Sequence, residues 1–560
     1  MTSQFSLWLY PLLAFSVVAL AVRARIPIGW SWGSIIQVLP VLACGVLGLY
    51  VGPDWLFAIA GWVLVLAFYL PSRYFYTGIQ RNLMTLNAGG MMLLSERVKF
   101  IFWGLPGRFW SDMTRALAFY IEGRGDDADT LLDNWQGRQG LPKDVRDLPS
   151  NYRFVGNGVM WRWQKVVDQY EGMAEDDRKR LGHSVLLPTA RAYAELGRFD
   201  DAAECIKKAK LAENMLPMQY LALSLLPFFS LSGSITELKE LIGILSKRSK
   251  DFPVSSREYW TGRCYLAAGQ EDEARKCLEA SRNASQSERF KSRIDWLLNE
   301  WLLNEGLRKE SDHEASSPDV RLRVDEIWQL FRKAAYVQEI ISPQRHSVAV
   351  SLIVILIILV YLLYGPINDY MVFFQPVVGQ EWLRTWVGFV VTSFSVSKAA
   401  ILNGEYYRLL TYLFLHAHVT HMILNIVGLV WFGRIAENIF GTSRFVAIYF
   451  VGGILSGVAH SLLSSDIAVG ASGAVMAVFA ASAAGIYRLK DKIPDSVRRF
   501  ELSWLGGLAA FQVILDQVIP HVAAFAHLGG LLAGLAFGMV LSLRNPDSGE
   551  EEITGKFVGG

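Results

Sequence analysis

The chain has 560 residues, 52% of them hydrophobic and only 19% charged, with a mean hydropathy of +0.27. Soluble globular chains carry about 25% charge, so the composition points to a polytopic membrane protein with a soluble part, and the length accommodates two or three domains. A formal net charge of +2 gives no electrostatic reason to expect nucleic acid as a partner.

About 20 predominantly apolar residues suffice to cross a bilayer as a helix. Residues 5–22, 35–51 and 55–70 each approach that length. No basic residue precedes the first run, which argues for an uncleaved span rather than a signal peptide. Arg23 and Arg25 follow the first run, and Arg73 and Arg81 follow the third. The positive-inside rule then predicts an outer N-terminus and an inner residue 73.

From about residue 74 to 345 the chain becomes charged and helix-rich, which predicts a cytosolic helical domain. Gly197, Gly233 and Gly269 recur every 36 residues. Ala192-Tyr193-Ala194-Glu195-Leu196-Gly197 lines up with Cys264-Tyr265-Leu266-Ala267-Ala268-Gly269, each followed by an alanine five residues after the glycine, and Gly123 and Ala128 echo the pattern upstream. This resembles degenerate tetratricopeptide repeats, best matched over 186–285. That resemblance implies a concave surface for a protein or peptide partner; the alternative is an irregular helical bundle. Residues 100–110, rich in aromatics, are expected at the membrane interface and 309–319 as a loop. Cys44, Cys205, Cys264 and Cys277 show neither a C-x-x-C pair nor metal-ligand spacing, consistent with a reducing cytosolic face.

Apolar character returns after Arg345. It predicts spans at 347–364, 418–433, 445–462, 472–489, 502–518 and 523–543, with short interfacial helices across 365–405. Arg434, Arg488, Lys490, Lys492, Arg498 and Arg499 all fall on inner ends of this arrangement. The expectation is an all-α chain of four parts: three N-terminal spans (1–73), a helical domain (74–345), a six-span block (346–545) and a flexible tail (546–560).

Two strings in the last block carry chemistry: Gly470-Ala471-Ser472-Gly473 and Ala526-His527-Leu528-Gly529-Gly530. Ser472 begins the fourth predicted helix of the block and His527 lies one turn into the sixth, both near the outer side. Serine can be a nucleophile with histidine as its base, and polar groups inside a bilayer need a partner. Gly530 and Gly534 share a helical face with His527, and Gly473, Ala474, Ala477, Ala480, Ala481 and Ala484 offer complementary small residues, so the two helices can approach closely. His421 and Asn425, four residues apart, can donate hydrogen bonds to a developing oxyanion together with the Ser472 backbone N–H. No third acid is evident for His527, so a dyad is expected. Asp516, beside Gln517 in an apolar run, reads as a structural partner, and His416 and His418 as interfacial hydrogen-bonding or gating-side residues rather than reactive ones. The chain has no H-E-x-x-H and no P-loop, so neither a zinc site nor any cofactor is expected.

These residues resemble the rhomboid intramembrane serine proteases. The likeness extends to the 405–416 segment, where Tyr407-Arg408 stands in place of the family's frequent Trp-Arg, and to Glu437-x-x-x-Gly441. It covers about 345–544. It implies a six-helix fold, Ser472 as nucleophile, His527 as base, and His421 and Asn425 as oxyanion donors. It also implies transmembrane protein substrates in a lipid bilayer, cut near the outer face. Met476 stands where some members carry a tyrosine against the histidine, a departure that a thioether contact can accommodate. The competing class is a non-catalytic rhomboid-like scaffold that binds clients through its repeats. A bacterial plasma membrane is the expected location.

Overall fold

The computed structural model describes residues 38–48, 54–102, 104–179, 181–214, 216, 218–248, 252–301, 318–341, 347–373, 381–518 and 522–544. The expected span at 5–22, the tail at 546–560 and most of the expected loop at 309–319 lie outside these residues. Among the described residues the chain is helical, with one isolated antiparallel bridge between Val396 and Ala468. It divides into two compact units, 1–211 with 216–331, and 212–215 with 332–560.

In the first unit, the apolar helices expected at 35–51 and 55–70 correspond to Val38–Gly48 and to the opening of the 31-residue helix Asp54–Met84. Five helix pairs follow the connecting helix Ala88–Ile101. They are Leu105–Glu122 with Gly125–Asp133, Leu148–Val159 with Trp163–Glu171, His183–Glu195 with Phe199–Lys208, Met218–Leu231 with Ile235–Arg248, and Val254–Ala267 with Glu271–Ala284. Gly197, Gly233 and Gly269 each sit between the helices of a pair at φ of +79°, +68° and +70°. That left-handed conformation ends a helix and favours glycine. It is the physical reason for a glycine at each turn. Gly233 is doubly constrained, since a Cβ there would lie 3.1 Å from the backbone of Ala267.

The 100–110 stretch departs from the interfacial reading. Residues from 105 open a helix instead, and Phe102 and Trp110 meet Phe75 edge-on at 5.8 and 6.2 Å. Phe109 is fully buried, whereas Phe100 is 81% exposed. Aromatic density here fills a core between helices, which composition cannot distinguish from a membrane-surface belt.

Glu195 is a buried carboxylate in this unit. Arg263 donates to it at 3.1 Å and Arg191 lies 3.8 Å away. Arg191 is stacked between the rings of Trp163 and Trp260 at 4.8 and 4.9 Å. Burial pushes the carboxyl up, but the guanidiniums of Arg263 and Arg191 outweigh it and hold it below its usual range. The free thiols Cys205, Cys264 and Cys277 are raised by burial to about 11, 12 and 11. They stay protonated near neutrality and are poor nucleophiles.

The second unit contains the helices Val348–Phe373, Val419–Phe440, Thr442–Leu463, Ser472–Arg488, Asp495–Val518 and Ala524–Val540. Each overlaps an expected span, but Val348–Phe373 and Val419–Phe440 extend beyond the expected ends 364 and 433, and Asp495–Val518 begins before the expected 502. Three segments, Val348–Asp369, Val419–Phe440 and Thr442–Leu463, are long and apolar enough to cross a membrane. The core holds Leu429, Phe440, Phe445, Ile448, Tyr449 and Val478, all fully buried. Leu352, Leu359 and Leu363 are 61%, 55% and 66% exposed, an apolar outer stripe that suits hydrocarbon rather than water. The protein is thus a membrane protein. Between the first two of these helices lie Glu381–Phe394 and the short Lys398–Leu402.

Candidate hydrolytic site

Ser472 is the first residue of its helix and His527 sits in the first turn of Ala524–Val540. The two helices meet through their small residues. A Cβ on Gly530 would lie 2.1 Å from the Gly473 carbonyl oxygen, one on Gly534 2.0 Å from that of Ala477, and one on Gly538 2.9 Å from that of Ala481. Both ladders advance by four residues, so the backbones are in contact along three turns. Side-chain entropy and bulk are absent where the contact is made, which is how apolar helices associate without a hydrophobic drive. A third helix closes the site. Ser456 Oγ donates to the Ala526 carbonyl at 2.7 Å, and a Cβ on Gly473 would fall 1.8 Å from that hydroxyl oxygen.

The loop leading to the serine is pinned from several sides. Val396 pairs with Ala468, Gly470 N–H donates to the Tyr412 carbonyl at 2.9 Å, and Ala471 N–H donates to His416 Nε2 at 3.4 Å. Gly470 adopts φ of +124°, and a Cβ there would lie 2.6 Å from the His421 ring. Only glycine fits. His421 is thereby held under the residue two before Ser472. His416 is fully buried; its ring supports this loop and its carbonyl accepts from Tyr364 Oη at 2.7 Å. His418 Nδ1 caps the next helix by accepting from His421 N–H at 3.1 Å.

Asn425, buried, donates from Nδ2 to the His421 carbonyl at 2.9 Å. That bond uses one of its two amide protons and leaves the other. Arg408 bonds Glu405 and donates to the Ser395 and Thr392 carbonyls, while Tyr407 Oη donates to the Ser393 carbonyl at 3.0 Å. The pair therefore ties the 381–397 segment to the loop before Val419–Phe440. Met476 packs against the bundle core one turn beyond Ser472. Glu437 accepts from Thr442 Oγ1 at 2.7 Å, and Gly441 turns the chain at φ of +84°.

Two arrangements were not foreseen. The first concerns the acid partner of His527. Asp516 presents its carboxylate to His527 Nδ1, at 2.8 Å to Oδ1 and 3.0 Å to Oδ2, and Gln512 Nε2 donates to the same Oδ1 at 2.8 Å. The expectation that no acid accompanies the histidine does not hold. An aspartate eleven residues upstream, on the preceding helix, has no periodic signature; the only clue was a carboxylate in an apolar run. The second is that no direct hydrogen bond joins Ser472 Oγ to His527, although their helices are in backbone contact.

A family model described as Rhomboid domain matches residues 403–544. The chain is 35% identical over 157 residues to RHOMBOID-like protein 6, mitochondrial, of Arabidopsis thaliana, covering 28% of this chain and 50% of that protein. It is 30% identical over 147 residues to the putative rhomboid protease YdcA of Bacillus subtilis, covering 26% and 70% respectively. It is 29% identical over 150 residues to the rhomboid protease GluP of the same organism, covering 26% and 28%. The chain thus spans half the length of the first of these relatives.

Proposed function

The chain belongs to the rhomboid family, and on that premise we propose that it is an intramembrane serine endopeptidase whose nucleophile is Ser472 and whose base is His527. The observation that carries this reading is the glycine-mediated contact of their two helices, which brings a helix-opening serine beside a first-turn histidine. In the reaction, His527 takes the Ser472 proton as the oxygen attacks the scissile carbonyl. The oxyanion receives hydrogen bonds from the Ser472 N–H, the free Asn425 amide proton and the His421 ring. His527 then protonates the leaving amine, and water hydrolyses the acyl-enzyme with His527 again as base. A hydroxyl and imidazole not yet bonded are compatible with this, since such contacts often tighten only around substrate. No cofactor is required.

Substrates are transmembrane segments of other proteins, entering from the bilayer and cut near the outer face. The positive-inside pattern of basic residues around the expected spans supports a cytosolic helical-pair unit, in a bacterial plasma membrane. The glycine-turned pairs between 183 and 284 act as tetratricopeptide-like repeats that dock a protein or peptide partner. A non-catalytic scaffold is the second reading, favoured by the missing Ser472–His527 bond. Proteoliposomes containing a single-span model substrate separate the two. The protease reading expects cleavage by the wild type and none by Ser472→Ala; equal processing by both leaves only the scaffold.

A further inference from the structure

Resting on the protease reading, we propose that Asp516 is a positioning residue, so that the unit of chemistry is Ser472–His527–Asp516 rather than a serine–histidine pair. The geometry is specific. Both carboxylate oxygens lie within hydrogen-bond distance of one ring nitrogen, at 2.8 and 3.0 Å, and the two side chains are only 9% and 6% exposed. An ionised carboxylate can only accept. Beside an ionised Asp516 it is Nδ1 that carries the proton, and Nε2 is then the nitrogen with a lone pair to receive the serine's.

The carboxylate is itself fixed. Gln512, one turn earlier on the same helix, donates to Oδ1 at 2.8 Å, so Asp516 cannot rotate away without abandoning two partners. Its described ionic partner is His527. An aspartate in an apolar bundle is costly unless bonded, and a partner bearing a permanent charge would satisfy that need better than an imidazole. An imidazole becomes charged only when it takes a proton. The carboxylate is therefore best matched to the state in which His527 has accepted the Ser472 proton, which is the state the reaction must stabilise. The same bond holds the ring orientation between turnovers. A mere tether between helices Asp495–Val518 and Ala524–Val540 would need neither the negative charge nor the bidentate approach.

The test compares Asp516→Asn, Asp516→Glu and Gln512→Ala in proteoliposomes, with wild type and Ser472→Ala alongside. Asparagine keeps size and hydrogen bonding but removes the charge and permits the wrong tautomer. The expected result is a kcat lower by on the order of 10²-fold or more, KM and Tm unchanged, and a parallel fall in the rate at which a fluorophosphonate labels Ser472. Asp516→Glu recovers part of both rates. A folded Asp516→Asn with wild-type kcat and labelling overturns the proposal, as does a loss tracked fully by Tm and not relieved by glutamate. Should Asp516→Asn not fold, Gln512→Ala decides: a several-fold fall in kcat at unchanged KM supports the proposal and wild-type kcat overturns it. A wild type that neither cleaves nor labels would instead refute the protease reading itself.

Discussion

Two buried carboxylates, one in each unit, show how the same group is put to different uses. Glu195 lies among arginines, with Arg263 at 3.1 Å and Arg191 stacked between two tryptophans. Asp516 lies against a histidine and a glutamine. Guanidinium is always charged and never gives up a proton, so the Glu195 cluster can only hold helices together. Imidazole changes charge near neutral pH, so the Asp516 cluster can take part in proton transfer. The partner, not the acid, separates a structural site from a chemical one.

That contrast can be broken or sharpened by substitution. The largest effect is expected at the contact that brings the second cluster to the serine. Gly530→Val drives side-chain atoms into the Gly473 backbone and should cost about 4 kcal/mol or more, abolishing cleavage together with the unfolding transition of the bundle; an active, stable variant would mean that the helices can part freely. Next, Glu195→Ala leaves Arg263 and Arg191 facing one another without their counter-ion. Removing one member of a buried pair costs about 3–5 kcal/mol, and the lower end is expected because Arg191 keeps a third of its surface in solvent. Urea unfolding of the detergent-solubilised chain, followed by tryptophan fluorescence, should show an earlier first transition, whereas Asp516→Asn leaves that transition in place.

Acid should reproduce part of the Glu195 effect. Its carboxyl is held below the usual range in the fold, so its contribution is complete above the unfolded pKa of about 4.3. It is lost as pH falls through the lower, folded value. The first urea midpoint should therefore drop on acidification in the wild type, and drop less in Glu195→Gln. The smallest effect is expected at Gly269. Its surroundings are open and its φ is +70°, so Gly269→Ala should cost only the left-handed strain, about 1 kcal/mol, measured on the same transition.

Much of this was legible in the sequence for physical reasons. Hydrophobic runs located each bundle helix, since a membrane imposes length and apolarity at once, but one end of Val348–Phe373, Val419–Phe440 and Asp495–Val518 runs well past the expected limit. Glycines marked the helix-pair turns because positive φ admits little else. Gly530 and Gly534 told of a close contact because no other residue leaves room for one. What stayed hidden was decided by three-dimensional proximity without a repeat. Asp516 reaches His527 from the preceding helix. His416 is buried where Tyr364, His421 and Ala471, from three different segments, meet it. The aromatics at 100–110 divide between two surroundings, Phe109 in a core and Phe100 exposed, because a ring prefers a core or a bilayer surface for the same reason.

The central claim is that Ser472 is a nucleophile activated by His527, and mapping a covalent adduct tests it most directly. Full-length protein in detergent would be treated with a fluorophosphonate, digested, and the modified peptide sequenced by mass spectrometry. Phosphonylation is expected at Ser472 in the wild type and not in His527→Ala. Modification at another serine, or an undiminished Ser472 adduct in His527→Ala, would contradict it.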